Sequence, residues 1–172
     1  IRDRACGRGR HSVYLNKLGF NVTGADLSAN SIREAKKYEN GTLHFMEHDM
    51  REPFPTQYDA IFNLFTSFGY FESDEDNITT LKAITQSLTE YGFAVIDFMN
   101  VHRVIENLVP QEVKTVDGID FHIKRFVIDN HIIKDITFTD KGKNFHFTEK
   151  VKALTLHDFE PVSYTHLRAH ET

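Results

Sequence analysis

The 172-residue sequence contains a single cysteine, no apolar run near the roughly 18 residues that a membrane-spanning helix requires, and no basic surplus. One thiol, Cys6, excludes an internal disulfide framework and fits a reducing compartment. No secretory signal pattern opens the chain, so a cytoplasmic location is the expectation. The formal net charge is −5. Proteins that grip nucleic acid through phosphates carry a basic surplus or stripe. The only local one is Arg2, Arg4, Arg8 and Arg10, inside a strand and a turn. No nucleic-acid or membrane partner is favoured, no metal is expected, and no catalytic triad is visible.

What is present is ordinary globular material, 40% hydrophobic and 26% charged, long enough for a buried core. Short apolar runs alternate with helical stretches over the first hundred residues. A run closing at Ala5 precedes a helix over Arg10 to Leu18, ended by Gly19. Phe20 to Ala25 is a second run. A second helix spans Ser28 to Tyr38, with Ser28 as its cap and Ile32 and Ala35 on its inner face. Leu43 to Glu47 and Tyr58 to Phe65 follow as runs three and four. Ser73 to Glu90 has Ile78, Leu81, Ile84 and Leu88 at helical spacing, an N-cap at Ser73 and a stop at Gly92. Phe93 to Phe98 is the fifth run. This alternation predicts an α/β fold, a Rossmann-like doubly wound parallel sheet.

From Val113 the pattern changes to strands without helices. Asp117-Gly118, Asp129-Asn130 and Asp140-Lys141-Gly142 are hairpin signals. They predict an antiparallel β meander of three or four strands, inserted after strand five. The expected organisation is an α/β core over 1–112, the β insertion over 113–156, and the start of the next core helix over 157–161. Residues 162–172 (VSYTHLRAHET) lack either periodicity and resemble translated adaptor read-through, a non-native tail.

The chemistry concentrates in Asp3-Arg4-Ala5-Cys6-Gly7-Arg8-Gly9, directly before a helix. Small residues at a strand's carboxyl end let backbone approach a ligand, and the helix start offers free N–H groups. Asp26, at the end of the second run, is placed to accept ribose hydroxyls, and Asp49 after the third to meet an adenine amino group. Each alone reads equally as a turn or a cap; together they outline a nucleoside. A dinucleotide fingerprint needs a third glycine, where Ser12 stands. Asp3 would repel a pyrophosphate and welcome the amino group of a methionine moiety, which favours S-adenosylmethionine over NAD.

The segments D-x-A-C-G-x-G-R-H-S at 3–12, V-T-G-A-D-L-S at 22–28 and H-D-M at 48–50 resemble the first three cofactor motifs of bacterial class I S-adenosylmethionine-dependent methyltransferases. Residues 63–71 (NLFTSFGYF) are similar to the segment after strand four in a small-molecule subgroup. The resemblance implies S-adenosyl-L-methionine as cofactor and a small-molecule acceptor. It implies that Asp3 and the backbone of Ala5, Cys6, Gly7 and Gly9 hold the methionine part. Asp26 would bind ribose, Leu27 would pack on adenine, and Asp49 with Met50 would read its edge. Asn63 and Leu64 would flank the methionine end.

Arg2 and Arg4 depart from the family, which has buried aliphatic residues there; a frayed, exposed strand edge or errors in the sequence are the expected explanations. The helix ahead of strand one and the last two strands are absent, so the sheet is expected to be incomplete. Methyl transfer from a sulfonium needs alignment more than a triad. His11, Tyr70 and His102 are candidates on the acceptor side; the bland alternative for His11 is a helix-start residue and for Tyr70 a packing aromatic, and His102 is the weakest of the three. Arg125 and Glu149 read as a cross-strand ion pair, and Cys6 as a packing residue. Asn63 is not followed by Pro-Pro-aromatic, which counts against adenine or glutamine methylation. The meander would serve as a lid or as a homodimer surface. An NAD-dependent oxidoreductase and a noncatalytic S-adenosylmethionine-binding fragment stay open as alternatives.

Overall fold

A computed structural model of the chain describes residues 1–71 and 73–159; the tail at 162–172 lies outside the described residues. The five apolar runs become β1 (Arg2–Arg4), β2 (Val22–Asp26), β3 (Leu43–Glu47), β4 (Tyr58–Asn63) and β5 (Leu88–Ile96). They form one parallel sheet in the order β3-β2-β1-β4-β5. Helices α1 (Arg10–Lys17), α2 (Ala29–Ala35) and α3 (Asp74–Gln86) connect them. The strand order reverses beside β1, the point at which open α/β sheets leave a crevice at the strands' carboxyl ends.

The first two helices form where their signals lie. Ser28 accepts the N–H of Ser31 at 3.2 Å and caps α2, whose Ile32 and Ala35 are buried. Gly19, at φ 94°, follows α1 after the Leu18 cap. Cys6, Val22, Ile32, Ala35, Leu43 and Phe45 form the core on this side, each large apolar side chain contributing about 1.5–3 kcal/mol by burial. Phe45 sets the backbone spacing, because a Cβ on Gly9 or on Gly24 would stand 2.6 Å from its ring.

The third helix ends earlier than its apolar spacing predicts. Ser73 caps it, accepting from Asp76 N–H at 3.1 Å, and Leu81 and Ile84 are buried. Ile78 is partly exposed, and Leu88 and Gly92 already belong to β5. Ser87 is the reason. Its hydroxyl donates to Ala83 O at 2.6 Å and accepts from Phe54 N–H at 3.0 Å, while its carbonyl takes Tyr58 N–H at 2.8 Å. That last bond begins the β4–β5 ladder six residues before the expected strand. Gly92 is not a helix stop; a Cβ there would meet Tyr58 O at 2.9 Å.

β1 is neither frayed nor exposed. It is the central strand, and Arg2 and Arg4 are both buried. The Arg2 guanidinium lies 3.4 Å from the Phe54 ring centroid and donates weakly to Tyr58 Oη and Met46 Sδ, both at 3.5 Å. Arg4 donates to Met50 O. Two nitrogens of each guanidinium have no partner. Burial pulls both pKa values down to about 10, and mutual repulsion adds to the effect at Arg4. An aromatic face and one carbonyl thus replace the water that these charges lose, at a cost in stability.

The described residues divide into two compact units, one built from Ile1–Phe68 and residues 73–98, the other from Gly69–Phe71 and Met99–Phe159. The second starts before the expected residue 113, because α4 (Val101–Glu106) and the start of β6 (Gln111–Val116) belong to it. Pro110 O accepts Arg125 N–H at 2.9 Å, and Gly69 O accepts Lys152 N–H at 2.9 Å, tying both flanks to the meander. With β7 (Ile119–Ile128), β8 (His131–Asp140) and β9 (Lys143–Lys152), β6 forms a four-stranded antiparallel sheet in sequence order.

Each hairpin turns on two residues of positive φ: Asp117-Gly118, Asp129-Asn130 and Lys141-Gly142. That conformation matches the right-handed twist of paired strands. Arg125 and Glu149 do not pair, since Lys134 of β8 stands between them in register. Arg125 binds Glu112, and Lys134 binds Glu149 at 3.0 Å. A helical turn over 156–159 closes the described chain. Asp158 Oδ2 accepts from both the N–H and the hydroxyl of Thr155 at 2.7 Å, a capping arrangement at its start.

Candidate functional site

The carboxyl end of β1 turns sharply over Ala5, Cys6 and Gly7. Ala5 and Gly7 adopt left-handed backbone (φ 51° and 54°), and Gly9 does so at the α1 N-cap (φ 79°). Cys6 N–H bonds Ala25 O at 2.9 Å, and Gly9 N–H bonds Cys6 O at 2.9 Å. The two flanking glycines have different tasks. A Cβ on Gly9 would strike Phe45, so that glycine lets α1 approach the sheet; a Cβ on Gly7 would enter open space. Gly7 also lines a cavity of about 390 Å³, together with Asp3, Ala5, Cys6, Arg8, Arg10, His11, Leu64, Phe65 and Ser67.

Asp3 is 1% exposed. Its Oδ2 accepts the Ser12 hydroxyl at 2.6 Å, and burial raises its pKa above the usual carboxylate range, against that hydrogen bond. Ser12, where a dinucleotide fingerprint would carry glycine, is accommodated by Gly24: a Cβ on Gly24 would stand 2.7 Å from its hydroxyl. The small residue has moved from the helix to the facing strand. Cys6 is buried against Val22, Leu43 and Phe45, and burial pushes its thiol up to about 12. It is a packing residue with no thiolate at neutral pH.

Asp26, at the end of β2, is coupled to the turn. Its Oδ2 accepts Gly7 N–H at 2.8 Å and its Oδ1 accepts Ser28 N–H at 2.9 Å. Leu27 beside it is exposed. Asp49 is engaged by Arg51, whose side chain donates to it at 2.6–3.1 Å and holds its pKa below the usual range. Met50 lends its carbonyl to Arg4.

At the end of β4 only one of the two expected residues reaches the cavity. Leu64 lines it. Asn63 stands in register with Arg4, on the face away from Asp3, fully buried and with both amide atoms unpartnered. Arg8, Arg10, Phe65 and Ser67 line the cavity without having been singled out from the sequence as site residues, and Phe65 has the most unusual backbone. Phe65 and Thr66 both hold left-handed backbone (φ 59° and 52°), secured by Asp97: its carboxylate accepts Phe65 N–H at 3.0 Å and its carbonyl Thr66 N–H at 3.1 Å. The Phe65 ring stacks on His11 at 4.7 Å, and the Arg10 guanidinium lies 5.2 Å from the same ring. No local pattern signals two successive left-handed non-glycine residues. Tyr70 and His102 lie in the other compact unit.

Residues 1–92 match the family described as a methyltransferase domain. A glycine/sarcosine N-methyltransferase of Halorhodospira halochloris is 33% identical over 115 residues, which are 62% of this chain and 42% of that protein. The chain spans less than half the length of the curated relatives it matches. Its fold is similar to that of an S-adenosylmethionine-dependent methyltransferase from Clostridium acetobutylicum ATCC 824, with a TM-score of 0.81 and 22% identity over 97% of this chain and 70% of that one. It is also similar to the S-adenosylmethionine-bound amino pentose methyltransferase CalS10 of Micromonospora echinaspora, with a TM-score of 0.73 and 15% identity over 95% and 72% of the two chains.

Proposed function

The chain belongs to the methyltransferase domain family, and from that membership we propose that it is the S-adenosylmethionine-binding core of an enzyme that methylates a small-molecule acceptor. One observation carries the reading: a buried carboxylate, Asp3, lines a cavity whose turn leaves open space at Gly7 and is bonded through Gly7 to Asp26. These residues suit the cofactor. Asp3 offers an anion to the methionine ammonium, the missing Cβ of Gly7 leaves room for the chain, and Asp26 stands one hydrogen bond away as the ribose acceptor.

The bound cofactor supplies a methyl group on sulfonium, already activated toward a nucleophile. The protein's residues then align and exclude water. Asp3 and the turn fix the methionine end, and Leu64 and Phe65 give the cavity an apolar wall. His11, a lining residue of the same cavity, takes the proton that an ammonium acceptor must lose before its lone pair attacks. The printed names of two relatives, both glycine/sarcosine N-methyltransferases, favour an amine acceptor.

Calorimetric titration with S-adenosylhomocysteine and with NADH tests the proposal. Binding of S-adenosylhomocysteine alone is the expected result. Binding of NADH alone, or of neither, overturns it.

A further inference from the structure

We propose that Arg10 and Arg8 form a receiving site for a carboxylate at this cavity, with the Phe65 ring as its flat wall; the proposal rests on the reading above and extends it to ligand charge. Both arginines are exposed and both line the cavity. The only carboxylate among the lining residues is Asp3, which is buried and bonded to Ser12. Among the described residues no carboxylate forms an ion pair with Arg8 or Arg10, although Arg51 pairs with Asp49 and Asp76 and Arg125 with Glu112. Glu34 lies near enough to Arg8 to feel its charge, but its carboxylate accepts from Lys37 at 2.6 Å.

Arg10 and His11 share one aromatic neighbour, Phe65. The Arg10 guanidinium sits over the ring, which stacks in turn on His11. With the ring near its Cζ and no carboxylate paired to it, Arg10 keeps N–H groups available, and a guanidinium's fork binds a carboxylate in two parallel hydrogen bonds. Phe65 is held in left-handed backbone (φ 59°), a conformation that a side chain with a Cβ disfavours. Asp97 sustains it from the β5 side. Strain of this kind persists where surrounding structure imposes it, and it clusters at ligand sites.

Two carboxylates could occupy the fork: that of the cofactor's methionine, or one carried by the acceptor. Titrations of the wild-type chain, Arg8→Gln, Arg10→Gln, the double variant and Arg10→Lys distinguish them. The ligands are S-adenosylhomocysteine, 5′-methylthioadenosine (which lacks the amino-acid part), and glycine and benzoate against glycinamide and benzamide. The last four are titrated with and without saturating S-adenosylhomocysteine.

Loss of a charge-assisted pair weakens binding by about ten- to a hundredfold. If the double variant loses this for S-adenosylhomocysteine but not for methylthioadenosine, the cofactor's carboxylate is the ligand. If it loses it for glycine or benzoate but not for the amides, the acceptor's is. Arg10→Lys keeps the charge without the fork and recovers part of the loss. Equal affinity of wild type and double variant for all these ligands overturns the proposal. A wild-type chain that binds neither nucleoside defeats the functional reading instead, and the benzoate titration without nucleoside still decides the carboxylate site.

Discussion

The carboxylate of Asp26 accepts the backbone N–H of Gly7 at 2.8 Å, joining the end of β2 to the turn that follows β1. A residue read from sequence as a ribose acceptor therefore also holds the glycine turn in place. Asp26→Ala is expected to weaken S-adenosylhomocysteine binding tenfold or more and to lower the melting temperature, since the Gly7 and Ser28 N–H groups both lose their acceptor. Asp26→Asn keeps one oxygen acceptor and is expected to recover more of the melting temperature than of the binding. Unchanged affinity in the alanine variant, measured by calorimetry, would remove Asp26 from the site.

Gly7 and Gly9 should respond oppositely to the same methyl group. Gly9→Ala meets the Phe45 ring at 2.6 Å, an overpacking that costs about 1–3 kcal/mol, with about 1–2 kcal/mol of left-handed strain added. Gly7→Ala carries the backbone strain alone and adds a methyl at a residue that lines the cavity. The expected outcome is a folded Gly7 variant that no longer binds S-adenosylhomocysteine, and a Gly9 variant whose urea midpoint falls sharply. Equal urea midpoints for the two would contradict this division of labour.

Arg2 and Arg4 lie in the centre of the sheet with unpartnered nitrogens. Arg2→Leu and Arg4→Ile are each expected to stabilise the chain by about 1–4 kcal/mol, the gain seen when buried charges yield to apolar side chains. Urea denaturation measures it as a higher midpoint at unchanged slope. A lower midpoint would show that the Phe54 and Met50 contacts outweigh the desolvation.

Burial lifts the pKa of Asp3 above its ordinary value of 3.8. The folded, unliganded chain therefore holds this proton more tightly than the unfolded one. The associated stability is fully present below 3.8 and is lost as pH rises through the raised value. A ligand ammonium favours the ionised carboxylate, so the affinity for S-adenosylhomocysteine should increase through that pH window. Methylthioadenosine, without an amino group, should show no such increase, and Asp3→Asn should abolish the difference. Parallel pH profiles for the two ligands would place the ammonium elsewhere.

The local signals were enough to read the alternation of strands and helices, the Ser28 and Ser73 caps, the three hairpin turns and the acidic residues at the ends of β1 and β2. Each rests on short-range physics: period, capping chemistry, left-handed turn residues and a glycine turn before a helix. The end of α3 was not legible, because Ser87 is claimed by Phe54 and Tyr58 from more than 25 residues away. Neither was the pairing of Arg125, which depends on which strand lies beside β7.

The sequence by itself determined the element types and the glycine turn, since those follow from neighbours along the chain. Tertiary structure alone decided which side each residue serves. Register placed Asn63 with Arg4 and away from Asp3, and Gly24 made room for Ser12. Asp97, just beyond β5, held Phe65 in a backbone conformation its own sequence disfavours. Such outcomes depend on contacts between strands distant in sequence, where packing overrides local preference.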